Sequence, residues 1–134
     1  TYLFVLYNSK SKYYILGGKM ADLQKKYNCP LELTMDLIGG KWKLIILWYL
    51  LDGSKRFSQL NRLMPNITQK MLTTQLRELE EKGLINRHVY PQVPPKVEYS
   101  LTEQGYSLKH ILNDICSWST SYAKDNEIEI SNID

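Results

Sequence analysis

Gln69, Lys70, Thr73, Thr74 and Arg77 recur at i, i+1, i+4, i+5 and i+8, a spacing that puts all five on one face of a helix. Their chemistry suits the edges of DNA base pairs. Gln can bond adenine at two points, and Arg or Lys can bond guanine. A Thr methyl can meet the thymine methyl while its hydroxyl serves a phosphate. Thr68, just before them, offers a hydroxyl that can cap the helix or reach a phosphate. A second basic group, Arg87 with His88 and then Lys96, brackets a run of prolines (Pro91, Pro94, Pro95). A polar helix face is by default solvated surface, and so is a lone histidine such as His88, so the surrounding elements must decide.

Catalysis finds no such support. The carboxylates, His88, His110, Cys29 and Cys116 form no nucleophile, base and orienting group in sequence, and no glycine-rich phosphate loop occurs. The cysteines and histidines lack metal-ligand spacing, so neither an enzyme nor a metal or cofactor site is expected.

The elements follow from hydrophobic period and punctuation. Cys29-Pro30-Leu31 opens a helix with Pro at its first position, Leu33, Leu37 and Ile38 form its stripe, and Gly39-Gly40 stops it. Trp42 to Leu51 is apolar on nearly every face and so packs centrally. Phe57, Leu60, Leu63 and Met64 give a short helix opened at Ser58 or a nearby polar residue and broken by Pro65-Asn66. Thr68 caps the next, in which Leu72, Leu76 and Leu79 lie opposite the polar face, and Gly83 ends it. Leu84 to Tyr90 and Lys96 to Leu101 alternate as two strands of a hairpin, whose prolines reduce the entropy lost on contact. Thr102-Glu103 then caps a long helix with Leu108, Ile111, Leu112, Ile115, Ser119 and Tyr122 at helical spacing.

This order predicts a mainly α fold with a small β-hairpin: a winged helix-turn-helix with a long C-terminal dimerisation helix. Charge agrees with it. Lys55 to Lys96 holds eight Lys or Arg against three acids, whereas Val97 to Asp134 holds two lysines against seven acids. The middle of the chain should attract a polyanion and the end should face away from it.

At 134 residues and 43% hydrophobic, one compact domain is expected over 20–134. The longest apolar run, Leu44 to Leu51, is far short of the roughly 20 residues that span a bilayer, and no membrane partner is expected. Tyr2 to Tyr7 is too short for a secretory core, and two cysteines make no disulfide framework, which points to reducing cytoplasm. Residues 1–19, with lysines and aromatics but no acid, form an N-terminal extension for which two origins are open. Met20 is the native initiator and the segment is translated upstream sequence, its Ile15–Met20 encoded by a purine-rich ribosome-binding site. Alternatively the segment is a true N-terminal arm.

Along residues 29 to about 122 the sequence resembles the HxlR-type winged-helix regulators, relatives of the MarR group. The resemblance lies in Cys29-Pro30, Ile38-Gly39-Gly40-Lys41-Trp42, Phe57-Ser58-Gln59-Leu60, Ile67-Thr68-Gln69-Lys70-Met71-Leu72-Thr73, Leu79-Glu80-Glu81-Lys82-Gly83-Leu84-Ile85 and Pro95-Lys96-Val97-Glu98-Tyr99-Ser100-Leu101-Thr102. It implies a bacterial transcription regulator, with repression the expected sign, that binds pseudo-palindromic double-stranded operator DNA as a homodimer. Lys70, Thr73, Thr74 and Arg77 then stand at reading positions, and Lys96 stands where the family's wing often has Arg, a weaker fork. In several members a cysteine before this proline senses oxidants or electrophiles, which carries over to Cys29. Independently, a helix N-terminus favours the reactive thiolate, and Lys25 and Lys26 are near. A small residue packed in a dimer interface is the plain alternative for Cys29, and Cys116 reads as structural.

Dimerisation is also expected from surface. Leu33 on the first helix and Leu108, Ile111, Leu112, Ile115, Trp118 and Tyr122 on the last offer more apolar area than one small core covers. Two reading helices would then sit about one DNA turn, roughly 34 Å, apart. Besides an oxidant at Cys29, a small-molecule effector between the first and last helices, near Trp42, Trp48 or Trp118, is an open trigger. A winged helix used only for protein contact is the alternative from another functional class.

Overall fold

The computed structural model describes residues 4–8, 12–16 and 23–131. Strands β1 (Phe4–Asn8) and β2 (Lys12–Leu16) pair antiparallel, Phe4 opposite Leu16, as a two-stranded sheet of their own within the N-terminal extension.

Helix α1 (Pro30–Ile38) starts where a proline has no N–H to leave unbonded, with Cys29 extended at its N-cap. Of its nine residues only Ile38 is buried. Helix α2 (Lys43–Leu50) follows, and its Ile46, Leu47 and Leu50 are the axis of the core. Strand β3 (Lys55–Arg56) leads directly into helix α3 (Phe57–Leu63). This helix is opened by the nearby polar residue Arg56 at its N-cap rather than by Ser58: the Gln59 side chain accepts from the Arg56 N–H at 2.8 Å, satisfying a donor at the helix start.

Helix α4 (Gln69–Glu81) is capped as expected, the Thr68 hydroxyl accepting from the Met71 N–H at 3.1 Å. Leu72, Leu76 and Leu79 are buried, each contributing about 1.5–3 kcal/mol by leaving water. The helix ends where Gly83 adopts φ 73°, which lets the Leu84 N–H turn back to the Leu79 carbonyl.

Strands β4 (Ile85–Tyr90) and β5 (Lys96–Leu101) form the expected hairpin, Ile85 opposite Leu101 and Tyr90 opposite Lys96. The sheet is nevertheless three-stranded, in order β3-β5-β4, because Lys55 and Arg56 pair with Tyr99 and Glu98 on the free edge of β5. A two-residue strand has no alternation to read, so its partner alone reveals it.

The long final helix is interrupted. Thr102 caps only a short helix α5 (Glu103–Tyr106), and helix α6 (Lys109–Asp125) starts afresh after Ser107 and Leu108. Thr102 Oγ1 donates to the Gly83 carbonyl at 2.6 Å and accepts from the Gly105 N–H at 3.0 Å. Gly105 is pressed so closely on the Leu84 backbone that a Cβ would stand 2.1 Å from its carbonyl oxygen. The turn is therefore anchored to the start of the hairpin. Among the described residues, no helix is long and apolar enough to cross a membrane.

Candidate nucleic-acid interface

The basic residues of the middle of the chain stand on helices α3 and α4, joined by residues 64–68, and on the β4–β5 hairpin. On α4 the buried leucines fix the rotation of the helix, so Gln69, Lys70, Thr73 and Arg77 are exposed and Thr74 is half-buried. Thr73 and Thr74 donate their hydroxyls to the carbonyls of Gln69 and Lys70, at 2.8 and 3.0 Å, which leaves their oxygen lone pairs as acceptors. Among the described residues neither Lys70 nor Arg77 enters an ion pair. The face presents free cations beside amide and methyl groups, a combination that fits a major groove about 12 Å wide.

The hairpin departs from expectation. The Lys96 ammonium lies 2.9 Å from the Glu98 carboxylate and 4.6 Å from the centre of the Tyr90 ring, so it is held within the sheet. Lys96 holds the Glu98 carboxyl below the usual carboxylate range, burial opposes that shift, and the Tyr90 hydroxyl at 3.1 Å adds to it. His88 packs edge-on against Tyr90 on the same face. Arg87 points to the other face and is exposed, within electrostatic reach of Glu80, whose carboxyl burial pushes up. The hairpin cation expected to reach outward is thus engaged, while Arg87 is free of ion pairs among the described residues.

A further basic strip went unassigned in the sequence. Lys55, Gln59, Arg62 and Leu63 line a shallow groove of about 330 Å³ beside α3, with Arg56 also exposed. Lys55 is paired with Asp52 at 2.6 Å, leaving Arg62 as the groove's unpaired cation among the described residues. Excess charge over 55–96 contained the signal, but a seven-residue helix gives too little period to assign a face.

The residues expected at a dimer interface divide into two groups. Leu112 is 3% exposed and belongs to the core of its own chain, and Leu108 packs against that core. The expectation for Leu112 is corrected: its side chain already has partners in the same chain. Ile111, Ile115, Trp118 and Tyr122 stand at i, i+4, i+7 and i+11 and are all exposed, Trp118 by 67%. Trp118 stacks on Tyr122 with ring centres 5.5 Å apart. Leu33 is exposed on α1 with Leu31 and Met35. Trp42 and Trp48 pack against the core, away from any exposure like that of Trp118.

Cys29 is an exposed free thiol, and Cys116 is a half-buried one whose thiol burial pushes up. No group of three or more His, Cys, Asp or Glu that could hold a metal occurs among the described residues.

The sequence profile of the HxlR-like helix-turn-helix family matches residues 37–127. The chain is 62% identical over 99 residues to the HTH-type transcriptional regulator YtcD of Bacillus subtilis (strain 168), covering 74% of this chain and 79% of that one. The redox regulator HypR in its reduced form is 52% identical, with a TM-score of 0.70, over 74% of this chain and 98% of that one. A chain from Enterococcus faecalis V583 assigned to the MarR family of transcriptional regulators is 36% identical, with a TM-score of 0.65, over 80% of this chain and 97% of that one.

Proposed function

The chain belongs to the HxlR-like helix-turn-helix family of transcription regulators, a non-enzymatic DNA-binding class, and from that premise we propose that it represses transcription by binding a pseudo-palindromic operator as a homodimer. The observation that carries this reading is the α4 face. Buried leucines aim it outward, and Lys70 and Arg77 on it form no ion pair among the described residues. Gln69, Lys70, Thr73, Thr74 and Arg77 contact base edges in the major groove, while Thr68, Arg87 and the α3 residue Arg62 serve phosphates. Lys96 reaches DNA only by leaving Glu98. Two-fold pairing uses the stripe Ile111, Ile115, Trp118 and Tyr122 with Leu33, apolar area that one chain leaves in water.

The experiment is selection of bound fragments from sheared genomic DNA by the reduced protein. Enrichment of a pseudo-palindrome by roughly 10³ or more over background supports the reading. Weak binding that ignores sequence would sink it in favour of a protein-contact module. A reporter fused to the recovered site tests repression.

Oxidation at Cys29 is the trigger we favour. Its thiol is exposed at the start of α1, and the similar HypR is named a redox regulator. Cys29→Ser should leave operator binding intact and remove its response to mild oxidant. A response that persists in this variant assigns the trigger elsewhere.

A further inference from the structure

The C-terminal end of α4 is tied through Lys82 to α1, and from there to the segment before it. The Gln24 N–H donates to the Tyr27 hydroxyl at 2.9 Å, and that hydroxyl donates to the Asp36 carboxylate at 2.7 Å. The main-chain carbonyl of the same Asp36 accepts from the ammonium of Lys82, the C-cap residue of α4, across 46 positions of sequence. Asp36 lies in the last turn of α1, where carbonyls lack partners within the helix. Gly39 N–H takes that of Met35 and Lys82 takes that of Asp36.

These polar ties matter because α1 is lightly packed within its own chain. Of its nine residues Ile38 is buried and Leu37 packs partly against the core. Directional contacts at its C-terminal end therefore help to set its angle. Tyr27 and Lys82 are both half-buried, so their bonds compete less with water than surface bonds do.

We propose that Tyr27, Asp36 and Lys82 are positioning residues that couple the segment 24–28 to the C-terminal turn of α4, so that displacing this segment changes how well the helix reads DNA. The coupling rests on the DNA-reading function proposed above. Displacing Tyr27 leaves the Asp36 carboxylate without its donor, lets the end of α1 turn, and moves the carbonyl on which Lys82 is seated. Cys29 follows this segment directly, so any chemistry that shifts it is felt at α4 through three hydrogen-bonded residues. Tyr27 is a neutral lever, because removing its hydroxyl changes no charge near the DNA.

Amide hydrogen exchange on the full chain, compared for wild type, Tyr27→Phe, Asp36→Asn and Lys82→Met, tests the coupling. Tyr27→Phe and Lys82→Met should speed exchange at residues 78–83 about fivefold or more while exchange in β5 stays unchanged. Asp36→Asn, which keeps an acceptor for Tyr27 and the carbonyl for Lys82, should match wild type. The preference of Tyr27→Phe for operator over random DNA should fall by a similar factor, with affinity for random DNA unaltered. Effects confined to residues 24–38, or spread equally into β5, would overturn the coupling. A wild type with no operator preference would instead overturn the DNA-reading function, and the exchange pattern would still decide the coupling.

Discussion

Lys43 Nζ lies 2.6 Å from Glu78 Oε2, joining the central helix α2 to the helix that presents the reading face. Lys43 is 8% exposed and is the buried charged residue among those described, whereas its partner keeps contact with water. Removing Glu78 strands a buried ammonium, so Glu78→Ala should destabilise the fold by about 1–3 kcal/mol, less than for a fully buried pair. Lys43→Met, which suits its apolar surroundings, should cost under about 1 kcal/mol. Urea unfolding of both variants and the double variant checks this, and equal losses for the two single changes would contradict it.

Changes on the two faces of α4 should have separable effects. Arg77→Ala or Lys70→Ala should each weaken operator binding by about 1–3 kcal/mol with little change in stability. Leu76→Ala, on the buried face, should cost about 2–5 kcal/mol of stability. Titration of operator DNA alongside thermal unfolding separates the two classes.

Glu98 sets a pH dependence whose sign follows from its partners. Its carboxyl is held below the ordinary value of 4.5, first by Lys96. The stabilisation it gives is therefore complete above 4.5 and is lost as pH falls through the lower folded value. Glu98→Gln should flatten the part of the stability curve that falls away below about pH 4.5. The same change frees Lys96 for a phosphate, so the salt dependence of DNA binding should steepen by about one counterion. An unchanged slope would mean that Lys96 stays on Tyr90.

The exposed stripe of α6 predicts assembly. Trp118→Glu or Ile115→Asp should convert a dimer to a folded monomer, read by analytical ultracentrifugation, and should lower operator affinity by about tenfold or more, since one half-site is then bound alone. Leu112→Ala should instead destabilise the protomer by about 2–5 kcal/mol, because that side chain lies in its own core.

Much of this architecture is local and therefore legible in sequence. Pro30 after Cys29, the Thr68 hydroxyl, the leucines of α4 and the positive-φ Gly83 each act within a turn or two of chain, and each is where its residue type requires. Knowing which face of α4 is buried also places Gln69, Lys70, Thr73 and Arg77 outward, because period alone fixes the opposite side.

What the tertiary structure decided is the pairing of groups far apart in the chain. β3 exists because β5 offers it an edge, and α5 is seated on the hairpin where Gly105 meets the backbone of Leu84. Lys96 is held by Glu98 and Tyr90, and Lys82 by a carbonyl of α1. Sequence lists these charges without saying which will meet. A charged side chain takes whatever partner the packing of apolar faces brings within reach, so composition and period establish which cations exist, and only the assembled core determines which remain free for DNA.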